Sequence, residues 1–212
     1  MTTTEALFRE DAYLRESQTK VLGVNERGGI LLDRTIFYAT SGGQPGDTGR
    51  ITRANGEVIV IAGTITGETK DEIIHLPGPG QTVPDAGETV TLEIDWERRL
   101  KLMRMHTACH LLTVICPFPI TGASVSEEDS RVDFDLPESG ITKENVTAKL
   151  MELVAADHPV SYRWIGDDEL AANPTLVKSK NVRPPMGTGR IRLVMIGQDG
   201  VIDSQPCGGT HV

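Results

Sequence analysis

At Asp95 the hydrophobic pattern of the chain changes its period. From there to Ile115, the residues Trp96, Leu100, Met103, Thr107, Leu111 and Val114 recur at steps of three and four. This predicts one long amphipathic helix with Asp95 as its N-cap, ended by Pro117 and Pro119. Before Asp95 nothing has helical spacing except a short piece at 11–16. Residues 20–24, 29–33, 35–38, 50–52, 58–66, 72–76 and 89–94 are short β-prone runs separated by Gly and Pro clusters. Strands so closely spaced predict a small barrel or sandwich. After the long helix the pattern mixes. One or two strands are expected within 125–136 (131–136 the better), a helix at 143–156 and a strand at 160–165. A short helix follows at 167–173, stopped before Pro174, then a strand at 191–196. The fold class read from this is α+β. A small N-terminal β-barrel-like domain (1–94) precedes an α+β domain (95–212).

Within the first domain, Ser41-Gly42-Gly43-Gln44-Pro45-Gly46-Asp47-Thr48-Gly49 places four glycines and a proline in nine residues, so it reads as a loop. Such a loop offers unhindered backbone N–H groups and the Gln44 amide, suited to a phosphate or a nucleoside. It is equally the composition of a plain tight turn.

A net charge of −9 excludes a protein that coats nucleic acid indiscriminately. Two stretches run against that sum. Residues 178–192 carry Lys178, Lys180, Arg183, Arg190 and Arg192 with no acid, and Arg98, Arg99, Lys101 and Arg104 stand against Asp95 and Glu97. Basic stretches on an acidic body suit a confined phosphate contact, or two solvated faces. Alternation along a strand at 191–196 predicts Ile191, Leu193 and Met195 facing the core, with Arg190 and Arg192 outward. Three cysteines exclude a disulfide framework. No apolar run approaches the roughly 18 residues of a membrane span. The N-terminus lacks the pattern of a secretory signal. The expectation is a cytoplasmic protein with no membrane partner.

The chemistry concentrates in two short motifs. His106-Thr-Ala-Cys-His110 puts two imidazoles at i and i+4 of the predicted helix, one turn apart on one face. A metalloprotease would need Glu directly after the first His; Thr107 stands there, which excludes that reading. Near the other end, Cys207-Gly-Gly-Thr-His211 separates a thiol and an imidazole by a flexible turn, so that both can converge. Two donors on a helix and two on a loop, three imidazoles and a thiolate, fit tetrahedral zinc. Cys109 and Cys116 read as packing residues, His75 and His158 as ordinary strand-end and loop residues.

These motifs, in order, carry a resemblance. The segment Phe37-Tyr38 with 41–49, then Asp95-Trp96 with Arg98-Arg99, then 106–110 and 207–211 resemble the free-standing alanyl-tRNA editing proteins of medium length, which are similar to the editing domain of alanyl-tRNA synthetase. The resemblance covers most of the chain. It implies an N-terminal barrel bearing the glycine-rich loop, and zinc held by His106, His110, Cys207 and His211. It implies hydrolysis, in trans, of the ester joining a wrong amino acid (serine, with glycine as the other candidate) to the acceptor end of alanine tRNA. In such a site Gly42, Gly43, Gln44 and Asp47 belong to the substrate-binding loop, with Gln44 also in a catalytic role. Arg190 and Arg192 would contact the tRNA.

Separating serine from alanine calls for a buried group that hydrogen-bonds a hydroxyl and is left unpaired by a methyl. By loose alignment that group is Thr121, which is also an ordinary loop threonine by composition. Zinc could act on the ester, supply hydroxide or anchor the amino group. Two other readings remain: a zinc-stabilised tRNA-binding module without catalysis, and a hydrolase of another aminoacyl ester. Family members continue beyond the last motif through a further strand pair, so a continuation past Val212 is expected in the natural protein. Oligomeric state is left open.

Overall fold

The computed structural model of the chain describes residues 3–136, 140–181, 184 and 190–212. In chain order the elements are β1 (Glu5–Ala6), β2 (Glu16–Val24), β3 (Ile30–Leu32), β4 (Arg34–Thr35), β5 (Gly49–Arg53), β6 (Val58–Thr66), β7 (Ile73–Pro77) and β8 (Thr89–Ile94). Then follow helix α1 (Trp96–Ile115), β9 (Ile120–Ser124), β10 (Arg131–Phe134), α2 (Lys143–Ala155), β11 (Val160–Ile165), α3 (Asp167–Ala172), β12 (Ile191–Ile196) and β13 (Asp203–Pro206). The architecture is mixed α and β, with a closed barrel in its first half. The chain packs as two compact units, residues 1–103 and 104–212, and the division falls inside α1.

The barrel closes in the order β2-β3-β7-β6-β5-β8, every neighbour antiparallel. Closure removes exposed strand edges. Alternation does the sorting: Ile59 and Ile61 of β6 point inward while Val58 and Val60 stay exposed. Ile51, Val90, Leu92 and Ile94 meet them inside, with Phe37 from the segment after β4. A fully buried Ile or Leu stabilises by roughly 1.5–3 kcal/mol, so this interior holds the unit together. In β6 the register slips between Ile61 and Gly63, a bulge that lets Thr64 face inward.

His75 is no ordinary strand-end residue. It is fully buried in β7, Nε2 lying 2.8 Å from the Thr35 hydroxyl and Nδ1 3.1 Å from the Ile30 carbonyl.

Some expected elements differ. Residues 11–16 form no helix: a 3-10 turn occupies Leu7–Arg9, and β2 already begins at Glu16. Strand β4 stops at Thr35 because Phe37 and Tyr38 turn into the core, where Phe8 and Tyr38 meet edge to face at 5.3 Å. The expected face of α2 is only half-buried, and Val154 is exposed. Strand β13 has the sequence Asp-Ser-Gln-Pro and no β-propensity to announce it.

In the second unit β11, β12 and β13 form an antiparallel sheet with β12 in the middle. One face carries Ile165, Ile191 and Leu193, covered by Leu170 of α3. By strand alternation the opposite face carries Tyr162 and Trp164 of β11, Arg192 and Val194 of β12, and Asp203 and Gln205 of β13. That second face is the one occupied with polar chemistry.

Candidate metal centre

Past residue 103, α1 presents His106 and His110 one turn apart, their rings 5.3 Å between centroids. The turn after β13 returns Cys207 and His211 to the same place. His211 lies 4.4 Å from His106 and 4.5 Å from His110, ring to ring. The three imidazoles are buried and Cys207 is half-buried. One donor atom from each of the four lies within 4.8 Å of every other.

The donor geometry can be tested for fit. A tetrahedral zinc with bonds of ~2.0–2.1 Å to nitrogen and ~2.3 Å to sulfur separates an N and an S ligand by about 3.5 Å. Here Cys207 Sγ lies 3.6 Å from His106 Nε2 and 3.4 Å from His211 Nε2. The thiol and two of the imidazoles therefore stand at the edge lengths that such an ion requires, with the remaining donor within 4.8 Å of each.

The surrounding shell orients these donors. Nδ1 of His110 lies 3.2 Å from an Asp203 carboxylate oxygen, which leaves Nε2 for the cluster. Asp203 is itself fixed by the Lys178 ammonium and by the Gln205 amide, which donates at 2.8 Å. Lys178 also donates to the Thr113 hydroxyl at 2.9 Å. Nδ1 of His211 lies 3.1 Å from the Thr107 hydroxyl, which also accepts the Val212 N–H at 3.3 Å. The Gly209 N–H donates to Cys207 Sγ at 3.3 Å. Arg192 Nη1 donates to the carbonyls of Gly209, at 2.8 Å, and Cys207, at 3.3 Å, clamping the ligand turn.

Electrostatics follow from this crowding. Burial alone would raise the Cys207 thiol, but the neighbouring imidazoles of His106 and His211 hold it well below its ordinary value. Burial pushes the His211 imidazole down to about 3, with His106 and His110 beside it adding to the effect. For His110 the desolvation is outweighed by the Asp203 carboxylate and Cys207, and its imidazole rises to about 9. Asp203 is held down to about 2, against its burial, by His110, Lys178 and Gln205. A thiolate and crowded imidazoles that cannot all hold protons suit a divalent cation. Cys109, buried and pushed up to about 11, stays a neutral packing thiol.

The other sequence candidates lie in several places. Gly42 and Gly43 are exposed and both have positive φ, +56° and +83°, as the central residues of a mirror-image turn closed between Ser41 and Gln44. Gln44 and Asp47 are buried. The Asp47 carboxylate is taken by the Arg99 guanidinium and the Tyr38 N–H. Thr121 is exposed on β9 and donates its hydroxyl to the Asp133 carbonyl at 3.3 Å; it makes no hydrogen bond to the cluster. Arg190 is exposed, its guanidinium 4.2 Å above the Trp164 ring.

The outward placement of Arg192 is corrected: its side chain is buried. The reason is that β12 is the middle strand, nearly buried on both faces, so alternation there does not alternate with solvent. Three residues of the basic stretches already have carboxylate partners. Arg99 and Lys178 are engaged by Asp47 and Asp203, and Lys180 pairs with Asp135 at 2.7 Å. Arg183 lies outside the described residues.

Sequence reading missed Asp203, Lys178, Gln205 and Thr113 as parts of the site. Only one signal was available: Asp203 and Gln205 alternate on a strand a few residues before Cys207.

Comparison with known proteins places this geometry in context. Residues 3–98 match the family model of class II (A) tRNA synthetases. Over 99% of its length the chain is 35% identical to the alanyl-tRNA editing protein AlaX-M of Methanosarcina acetivorans, covering 87% of that protein. It is 30% identical to AlaX-M of Saccharolobus solfataricus, again over 99% of the chain and 87% of the relative. It is also 37% identical to part of the alanine–tRNA ligase of Pyrobaculum calidifontis, over 99% of this chain but 24% of that enzyme.

Proposed function

Since the chain belongs to the alanyl-tRNA editing proteins, we propose that it is a zinc-dependent deacylase acting in trans on alanine tRNA that carries serine, with glycine as the other candidate. The reaction splits the ester between the amino acid and the terminal ribose. Water adds to the carbonyl carbon, the bond from that carbon to the ribose oxygen breaks, and a proton from the water passes to that oxygen, releasing free amino acid and the ribose hydroxyl. In this reading the barrel with its glycine-rich loop (1–94) supports an editing domain (95–212).

The observation that carries the reading is the convergence of His106, His110, Cys207 and His211 inside a shell that orients them. Those four residues would hold zinc. Four protein ligands fill a tetrahedral site, so when bound the ion would order the pocket, or act on the ester or the substrate's amino group by expanding its coordination or exchanging a ligand such as Cys207. The chain's own residues do the positioning. Asp203 and Thr107 fix the ring nitrogens that face away from the cluster, and Arg192 and the Gly209 N–H fix Cys207. The exposed N–H groups of Gly42 and Gly43 are assigned to substrate phosphate or ribose. Buried Gln44 and Asp47 shape that loop from within.

A synthetase pocket rejects a slightly different side chain weakly, so a second site must sort the products by their hydroxyl. That role is assigned to Thr121, exposed in the free protein and bonded to the Asp133 carbonyl, on the premise that bound substrate covers its hydroxyl and leaves it unpaired when the side chain is a methyl.

The decisive experiment is a deacylation panel over seryl-, glycyl- and alanyl-tRNA for alanine, together with unrelated aminoacyl-tRNAs. Fast turnover of the seryl form and slow turnover of the alanyl form is expected. Turnover of unrelated aminoacyl esters only would assign a different hydrolase, and binding without any turnover would leave a tRNA-binding module.

A further inference from the structure

The three-stranded sheet treats its two faces differently. Aliphatic residues on one are covered by α3. On the other, the edge strand β11 carries two large aromatic side chains, Tyr162 and Trp164, both half-buried. Guanidinium groups lie over both. Arg190 stands 4.2 Å above the Trp164 ring and Arg192 stands 4.6 Å above Tyr162. The two aromatic rings meet edge to face at 6.4 Å. Register then joins this row to the metal centre. Trp164 pairs with Arg192, and the Arg192 guanidinium that covers Tyr162 also grips the carbonyls of Cys207 and Gly209. The aromatic row and the ligand turn therefore form one continuous face within one unit.

Planar rings alternating with planar cations match one ligand chemistry: unpaired bases on a phosphate backbone. Single-stranded nucleic acid is held by stacking on aromatic and guanidinium planes, and cations beside them meet the phosphates. On a chain of net charge −9, the exposed Arg190 guanidinium on the indole supplies the cation, while Arg192 beneath is buried against the ligand turn. We propose that Trp164 and Tyr162, with Arg190 lying on the indole, form a stacking platform for the unpaired bases at the 3′ end of the RNA, aligned so that the terminal ribose reaches the ligand turn. This rests on the tRNA reading above and adds to it the residues that position the acceptor end.

The test titrates the whole protein with the RNA tetranucleotide ACCA, and separately measures KM and kcat on seryl-tRNA. Trp164→Leu is expected to weaken ACCA binding roughly tenfold, the loss of about one stacked base. It should raise KM by a similar factor, the effect falling on KM and not on kcat. Trp164→Phe should restore most of both. The salt slope of Trp164→Leu should match the parent, because stacking releases no counterions, whereas Arg190→Gln should flatten it by about one.

A folded Trp164→Leu protein with parental metal content and parental ACCA affinity would overturn the platform, even if deacylation is intact. ACCA binding that depends on Trp164 in a protein that deacylates nothing would support the platform and sink the enzymatic reading. If the leucine variant does not fold, Trp96→Phe leaves Trp164 as the single tryptophan. Quenching of its fluorescence by ACCA is then expected, and its absence overturns the proposal.

Discussion

Arg99 and Asp47 form an ion pair with side chains 0% and 1% exposed. The guanidinium reaches both carboxylate oxygens through Nε at 3.0 Å, and also donates to the carbonyls of Ile36 at 2.7 Å and Ala12 at 2.8 Å. The first turns of α1 thus tie together the segment before β2, the segment after β4 and the glycine-rich loop. Its neighbour Arg98 adds a bond to the Gly46 carbonyl at 2.8 Å.

Breaking this pair from one side strands a buried charge. Asp47→Ala is expected to destabilise the protein by about 3–5 kcal/mol, and Asp47→Ala with Arg99→Met by clearly less. Urea unfolding of the parent, both single variants and the double variant measures the difference. A double variant no more stable than Asp47→Ala would contradict the pairing argument.

Metal content tests the cluster. Near-unit zinc per chain is expected by elemental analysis, and full occupancy surviving His106→Ala with Cys207→Ala would refute the ligand assignment. Asp203→Asn keeps all four ligands but weakens the hold on His110, so zinc affinity should fall roughly 10–100-fold in a chelator competition.

Acid should act on the barrel through His75. Burial pushes this imidazole down to about 4, against the opposing bond to the Ile30 carbonyl. Its folded pKa lies below the unfolded one, so the neutral ring contributes stability that is complete above pH about 6.5 and drains away as pH falls through about 4, on the order of 3 kcal/mol in all. Urea unfolding at pH 7 and pH 4.5 should show this loss in the parent and much less of it in His75→Gln. Equal pH dependence in both would assign the acid sensitivity elsewhere.

Arginines 190 and 192 should separate cleanly. Arg190→Gln is expected to leave zinc affinity untouched. Arg192→Gln should loosen the Cys207 turn and lower zinc affinity. The two variants compared in one chelator titration decide it, and equal behaviour would remove the clamp from the account of the site.

How much of this was legible in the sequence depends on the range of each interaction. His106 and His110 could be paired because one helical turn brings them together. Cys207 and His211 could be paired because two glycines mark a turn. Nothing local announces that Lys178 and Asp203 meet beside His110, since each arrives from its own segment. Arg192 misled for a different reason. Alternation tells which residues share a face, not whether that face meets water, and both faces of β12 are covered. Thr107 entered the reading as a position on the helix face and as the absence of a glutamate, yet its hydroxyl orients His211.

The two halves of the cluster are far apart along the chain: His106 and Cys207 are separated by 101 residues. An ion joining them closes a loop that takes in every strand of the second unit, as a covalent cross-link would. For a loop of about 100 residues, the chain-entropy account of a cross-link gives close to 5 kcal/mol, taken from the freedom of the unfolded chain. The four donors come together only when the sheet has carried the ligand turn back to α1. Metal capture is therefore a report on completed folding: a chain with β11, β12 and β13 misaligned has half a coordination sphere at each end and holds the ion at neither.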